Sequence, residues 1–269
     1  MEFKEKKTWG PLPRYDRVRA YERRDFTNIF IAGPCFIESE EMLESIARKV
    51  SSLGATHLRG GLFRAGTYPP EKMGWSEGKL IHASQIIAND NGLKNVIELL
   101  DISSPMMVDY IIQNADCLQV GARQMQNYPL LKICGESKKR VFLKRSPGAT
   151  LDEWLGAAEY ILKFGGDPVL IERGSVSHVN HVRWDLSISM IPAVKALTAI
   201  PIIVDASHGT GRRDLVEPMT LAGLAAGADG CLVEVHEDPE KSLSDSDQAI
   251  HPVSYEYLIT KAKRIIEAR

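Results

Sequence analysis

No run of 18 apolar residues occurs anywhere in the chain, and its start, MEFKEKKTWGPLPRYDR, lacks the short apolar core of a secretory signal. These two absences argue against a helical membrane span and predict a soluble, cytoplasmic protein. Cysteine is scarce: Cys35, Cys117, Cys134 and Cys231 form no CxxC pair, so in a reducing compartment they are expected to remain thiols. A charge excess of either sign is also missing, with 33 basic and 35 acidic residues and a net charge of -2. Neither a nucleic-acid surface nor a solvating acidic tail is therefore expected, and any cationic site must be local. Aromatic residues make up only 7% of the chain and build no stacking platform for bases. Low-complexity tracts and internal linkers are absent as well.

What the chain has instead is an alternation. Eight short apolar runs, NIFIAGPC, THLRGG, NVIEL, CLQVGAR, VFLK, VLIERG, PIIVDASH and CLVEVH, each stop at a charged, glycine-flanked or metal-ligand-type residue. Stretches of helical spacing lie between most of them. The first, ESEEMLESIARKVSSLG, carries acids at its start, Met42, Leu43, Ile46, Val50 and Leu53 on one face, and Gly54 as a stop. Further helices are predicted at about 80–91, 105–114, 127–134, 150–165, 187–198, 213–227 and 253–268. An eightfold strand and helix alternation in 269 residues, close to the roughly 250 typical of the fold, predicts a single (β/α)8 TIM barrel. Residues 1–26 read as a polar lead-in in which Pro11 and Pro13 argue against helix, covering one end of a catalytic barrel formed by residues 27–269.

Such barrels place their chemistry where strands end. Cys35, His208 and Glu234 fall at the ends of the predicted first, seventh and eighth strands, and Asp245 in the loop beyond the eighth. Closure makes those strands neighbours, so a thiolate, an imidazole and two carboxylates would meet at one pole and suit a divalent Mn, Fe, Co or Zn ion. Taken singly, each also reads as core or loop filler. A second group is cationic: Arg59, Arg64, Arg123, Lys144 and Arg173 stand at or just past strands two, four, five and six. Unpaired charges at strand ends are costly to bury, so these require carboxylates or an anionic ligand such as a phosphate ester with a carboxylate. The alternative is internal pairing of Arg123 and Arg173 with Glu98 and Glu172. Gly60, Gly61, Gly121 and Gly174 beside them would let backbone N–H groups approach an oxyanion.

The spans AGPCFIES, LRGGLFR, VGARQMQN, FLKRSPGATLDEWLGAAEYIL, IERG, IIVDASHGTGRRDLV and AAGADGCLVEVHEDPEKSLSDSDQ, in this order, closely resemble the short type I beta branch of the 3-deoxy-D-arabino-heptulosonate 7-phosphate (DAHP) synthases. The 3-deoxy-D-manno-octulosonate 8-phosphate synthases are more distant relatives. The resemblance covers about residues 26–265. It implies condensation of phosphoenolpyruvate with an aldose phosphate, release of inorganic phosphate, a homotetramer or homodimer, and a place in the shikimate pathway of aromatic amino acid biosynthesis. It makes Cys35, His208, Glu234 and Asp245 the metal ligands, and puts the phosphate of phosphoenolpyruvate on Arg123, Lys144 and Arg173 with Glu98 nearby. The carboxylate would lie near Arg59 and Arg64, with Thr67, Gly121, Ala122 and Asp205 also lining the substrates. Arg64, Lys144, His208 and Glu98 are the candidates for catalysis. Many relatives carry an N-terminal ferredoxin-like or chorismate mutase domain, which a 26-residue lead-in cannot form.

Departures from the family pattern cluster on loops facing the second substrate. Where the family reads KPRTSP after strand two, this chain has Arg64, Ala65, Gly66, Thr67, Tyr68 and Pro69, which replaces the family lysine with Arg64 and its phosphate-gripping arginine with Gly66. The segment SVSHVNHVRWD brings His178, His181 and Trp184 in place of a threonine-rich stretch, Pro147 and Gly148 alter the loop after strand five, and SDSDQ replaces SDGPQ. Three readings follow: a synthase with a changed acceptor, a DAHP synthase whose phosphate grip has moved to Arg145 or Arg183, and a catalytically silent phosphoenolpyruvate-binding barrel.

Overall fold

The computed structural model describes residues 15–22, 28–62, 77–99 and 105–269. Its eight parallel strands close into one barrel in sequence order. They are β1 (Ile29–Gly33), β2 (His57–Gly60), β3 (Lys94–Leu99), β4 (Cys117–Val120), β5 (Arg140–Lys144), β6 (Asp167–Glu172), β7 (Ile202–Asp205) and β8 (Gly230–Glu234). Both faces of these strands are buried, which is why they read as continuous apolar runs. The helices are α1 (Asp16–Arg19), α2 (Glu40–Ser52), α3 (Glu77–Asp90), α4 (Pro105–Gln113), α5 (Tyr128–Glu136), α6 (Leu151–Lys163), α7 (Met190–Lys195), α8 (Ala206–Thr210), α9 (Arg213–Ala225) and α10 (Pro252–Glu267). The fold is the (β/α)8 barrel expected from the alternation.

Local signals explain the helix boundaries. Ser39 accepts a hydrogen bond from Met42 N and starts α2, whose Leu43, Ile46, Ala47 and Val50 are buried against the sheet. Thr150 and Glu153 form a reciprocal capping box at α6. The seventh run leaves β7 at Asp205, whose side chain accepts from His208 N and turns the chain into the short helix α8. Two expectations need correction. Helix α7 is shorter than 187–198, since the chain before it is used to anchor a long loop, with Ser175 Oγ and Ser187 Oγ 2.9 Å apart. Within the lead-in, residues Asp16–Arg19 do form a helical turn, beyond the reach of Pro11 and Pro13. Glu159 of α6 accepts from the backbone N–H groups of Arg17 and Val18, and Tyr21 Oη donates to Asp167 at the start of β6, so the described part of the lead-in packs at the N-terminal end of the barrel.

Period-two alternation sorts the strand residues. Ile97, Leu118, Leu143, Leu170, Ile202 and Val233 face the helices, while Ile31, Val96, Cys117, Phe142, Val169, Ile203 and Leu232 fill the barrel interior. Two residues further along the inward face of β2, β3, β4, β5, β7 and β8 stand Arg59, Glu98, Gln119, Lys144, Asp205 and Glu234, all buried. The interior is thus an apolar lower layer under a polar upper one. At the top of β1, Gly33 has φ 150°, and a Cβ there would lie 2.1 Å from the Arg59 carbonyl oxygen. Glycine is needed for β1 and β2 to meet at this rim.

Candidate active site and metal centre

The upper layer is a linked network of charges. Arg59 donates from Nη1 to Glu234 Oε1 at 2.6 Å and from Nη2 to Glu98 Oε2 at 3.1 Å, tying β2 to β8 on one side and β3 on the other. Lys144 Nζ lies 3.4 Å from Glu98 Oε1 and 3.5 Å from Asp205 Oδ2. His208 sits between two carboxylates, with Nδ1 2.8 Å from Asp205 Oδ2 and Nε2 3.0 Å from Glu234 Oε1. Burial opposes an imidazolium there, but Asp205 and Glu234 outweigh it and raise the pKa of His208. Burial likewise works against the charged forms of Glu234 and Asp205, yet His208 with Arg59 for the first and with Lys144 for the second keeps both ionised.

Cys35, two residues past β1, faces the loop after β8. Its Sγ is 3.1 Å from Asp245 Oδ2 and accepts from Ser244 Oγ at 3.3 Å. Burial and the Glu234 charge push the thiol well above its usual pKa, against the pull of Arg59. Asp245 reaches this position from a left-handed backbone, φ 52°, which aspartate tolerates better than most residues. One ligand atom each from Cys35, His208, Glu234 and Asp245 lies within 4.8 Å of the others. A sulfur, a nitrogen and two oxygens so grouped fit a divalent transition ion, with the thiol proton displaced on binding.

A family model, the DAHP synthetase I family, matches residues 20–268. The chain belongs to the DAHP synthetase I family. A phospho-2-dehydro-3-deoxyheptonate aldolase of Thermotoga maritima is 39% identical over 240 residues, covering 88% of this chain and 70% of that protein. The crystal structure of a Thermotoga maritima DAHP synthase superposes with a TM-score of 0.85 at 37% identity, covering 91% of this chain and 71% of the other. A 2-dehydro-3-deoxyphosphooctonate aldolase of Desulfotalea psychrophila is 27% identical over 255 residues, covering 88% of this chain and 89% of that protein. DAHP synthetase I family members are phosphoenolpyruvate-dependent transferases that form a carbon–carbon bond, and this chain is such an enzyme.

Within this family frame the expected cations separate. Glu98 is taken by Arg59 and Lys144, and Glu172 is held by Arg145, with Nε–Oε2 2.6 Å and Nη2–Oε1 2.8 Å, so Arg173 pairs with neither. The cause is alternation, since Glu172 and Arg173 are adjacent and face opposite sides of β6. That bidentate pair is buried outside the barrel interior, so Arg145 is not the relocated phosphate grip. Arg173 points inward and has no carboxylate within ion-pair distance among the described residues; Nη2 donates to the His208 carbonyl at 3.4 Å, and the guanidinium lies 5.8 Å from the Trp184 ring centroid. Burial and the like charge of Arg183 lower its pKa despite Asp205. Gly121 is buried and opens the 3-10 turn Ala122–Gln124, which leaves Ala122 half-buried and Arg123 exposed at the rim. Arg64, Gly66 and Thr67 lie outside the described residues.

Several neighbours of the site were not singled out from sequence. Gln248 Nε2 donates to Glu234 Oε2 at 2.5 Å, and Ser207 Oγ accepts from Glu234 N at 3.1 Å. The loop between β6 and α7 docks on α8 through Arg183 N to Thr210 O and Trp184 N to Gly209 O. Gly211, φ 67°, makes room for Arg183, whose Cβ would be 2.7 Å from a Cβ at that glycine. Arg183 then reaches Asp245 Oδ1 at 3.5 Å and Gln248 Oε1 at 3.4 Å through Nη1. Gln119 is fully buried on the inward face of β4, and neither of its amide atoms has a hydrogen-bond partner. An unsatisfied buried polar group costs about 1–3 kcal/mol. A polar residue at an alternate position of the otherwise apolar CLQV run was the available signal.

Proposed function

We propose that this enzyme condenses phosphoenolpyruvate with a phosphorylated aldose, giving a 3-deoxy-2-ulosonate phosphate and inorganic phosphate. The observation that supports this reading best is the meeting of the Cys35, His208, Glu234 and Asp245 donor set with the Arg59, Glu98 and Lys144 network at one pole of the barrel. Arg59 and Lys144 lie against Glu98, Asp205 and Glu234, whereas Arg173 has no carboxylate within ion-pair distance among the described residues and supplies positive charge for a bound polyanion. Arg123, exposed at the rim, joins it as the family resemblance implies. Lys144 and Arg173 hold the phosphate of phosphoenolpyruvate, backbone N–H groups of Gly121 and Ala122 approach it, and Arg59 orients the carboxylate. Cys35, His208, Glu234 and Asp245 would hold a divalent ion, which would supply Lewis acidity for the aldehyde. Glu98 and His208 are the groups we assign to moving protons, and Arg64 and Thr67, outside the described residues, keep the roles that the family resemblance implies.

Members with seven- and eight-carbon products both resemble this chain, and Gly66 replaces an arginine of the family pattern, so the acceptor defines a second reading. Arg183 at the mouth, rather than Arg145, is the residue we assign to the acceptor's terminal phosphate. The same proposal includes a catalytic barrel over residues 27–269 preceded by a lead-in, a homotetramer or homodimer, a cytoplasmic location and a role in aromatic amino acid biosynthesis. Phosphate release measured with phosphoenolpyruvate, a panel of aldose phosphates and Mn, Fe, Co or Zn tests it. Turnover with erythrose 4-phosphate identifies a DAHP synthase, turnover only with another aldose identifies a changed acceptor, and no turnover with tight phosphoenolpyruvate binding identifies a silent barrel.

A further inference from the structure

Among the described residues, the five charged side chains of the upper layer are engaged. Arg59, Glu98, Lys144, Asp205 and Glu234 are joined by the contacts given above, whereas the Gln119 amide, equally buried, meets no partner in hydrogen-bonding geometry. Two residues earlier on the same face stands Cys117, within the apolar layer, so the barrel tolerates an apolar side chain on this strand. The strand register places Gln119 beside Glu98 on β3 and beside Phe142 on β5, whose next inward residue is Lys144. Burial favours the neutral acid of Glu98, but Lys144, Arg59, His208 and the Gln119 amide turned toward it outweigh that effect and keep the carboxyl ionised. An amide closed off from solvent, with its oxygen free and its N–H groups near an ionised carboxylate, is a seat for one water molecule.

We propose that Gln119, together with Glu98, holds the water that adds to C2 during the condensation. The inference rests on the reaction proposed above, which consumes one water. The π pair of phosphoenolpyruvate forms the bond from C3 to the aldehyde carbon, and the carbonyl pair moves onto the aldehyde oxygen. Water oxygen then bonds to the electron-poor C2 and passes one proton to Glu98, from which it goes on to that aldehyde oxygen. Phosphate leaves C2 with the electrons of the C2–O bond and takes up the remaining hydroxyl proton, which gives the 2-keto acid. Gln119 forms and breaks no covalent bond here; its amide fixes the direction from which the oxygen approaches.

The test uses the full chain with metal and the aldose phosphate that the wild type turns over. Gln119→Met, similar in size and apolar, is expected to lower kcat 30- to 100-fold with the KM for phosphoenolpyruvate changed by less than threefold and the thermal midpoint unchanged or raised. Gln119→Asn, which withdraws the amide by one methylene, falls between. A crystal structure of the wild type with phosphoenolpyruvate is expected to show an ordered water in contact with both Gln119 and Glu98, lost in the methionine variant. A kcat within threefold of wild type, a loss carried by KM, or an amide bonded directly to phosphoenolpyruvate overturns the assignment. Wild-type turnover with an unaffected methionine variant overturns only the role of Gln119. A wild type that releases no phosphate with any aldose overturns the condensation itself and this role with it.

Discussion

Two layers of the barrel interior, one pleat apart on the same strands, do opposite things. The lower, built around Ile31, Val96, Phe142, Val169, Ile203 and Leu232, is packed hydrocarbon. The upper holds Arg59, Glu98, Gln119, Lys144, Asp205 and Glu234, buried as deeply but filled with charge. Burial of apolar surface makes the first stabilising. Burial of ions costs free energy that even good pairing only partly offsets, so the second survives by what it binds rather than by what it contributes to stability. The difference predicts that substitutions above will chiefly remove activity and those below will chiefly remove stability.

The sharpest break of that contrast is His208→Gln, which keeps hydrogen bonding but withdraws one of the four proposed metal ligands. Phosphate release should fall on the order of 10³-fold or more, matching the several kcal/mol a Lewis acid supplies, with bound metal reduced in elemental analysis. Its melting temperature should drop less than that of Phe142→Ala. In the lower layer, Phe142 is fully buried. Truncation there should cost about 3–5 kcal/mol in urea unfolding, while whatever fraction remains folded keeps its KM for phosphoenolpyruvate. Equal stability losses from the two changes would abolish the distinction between layers.

His57 offers a gentler probe, because it is a titratable group placed in the lower layer. Its ring meets Phe142 edge-on at 5.4 Å, and Nδ1 is 2.7 Å from Thr56 Oγ1. Burial, followed by the charges of Arg140 and Lys94 and opposed by Asp116, lowers its pKa to about 4. The unfolded chain protonates this residue near 6.5. Between those values the unfolded state binds more protons, so the contribution is present at neutral pH and is lost as pH falls through the window. The loss should reach roughly 3 kcal/mol by pH 4. In His57→Leu, measured against wild type by urea unfolding from pH 7 to 4, that part of the slope should vanish.

The layers also explain what the sequence disclosed. Parallel strands buried on both faces announce themselves as apolar runs, and their ends are where charges begin, so the barrel, the Cys35, His208, Glu234 and Asp245 group and the inward cations were legible. Direction was harder. Glu172 and Arg173 are neighbours in sequence, but one faces the helices and the other the barrel interior, and only the register decides which. Arg145 was misplaced for the same reason. Gln119 carried no charge to draw notice, and its isolation is visible only once its neighbours are seen to be paired. The turn at α8 depends on a side chain capping its own strand end, a local choice that the apolar run conceals.

The smallest expected effect belongs to the mouth, above both layers. Arg183 is held there by backbone contacts on a glycine, and its side chain is 41% exposed. Its two bonds are long and both use Nη1, which leaves the rest of the guanidinium fork to face an incoming anion. Solvent weakens any contact made at that exposure, so Arg183→Ala should raise the KM for a phosphorylated aldose only about tenfold, near 1.4 kcal/mol, against the 1.5–3 kcal/mol of a well-buried charged hydrogen bond. The KM for phosphoenolpyruvate should stay within twofold, and the preference for phosphorylated over unphosphorylated aldose should shrink by the same tenfold. A rise confined to phosphoenolpyruvate would instead join Arg183 to Arg173 in one anion site, and the mouth would then belong to the upper layer rather than standing above it.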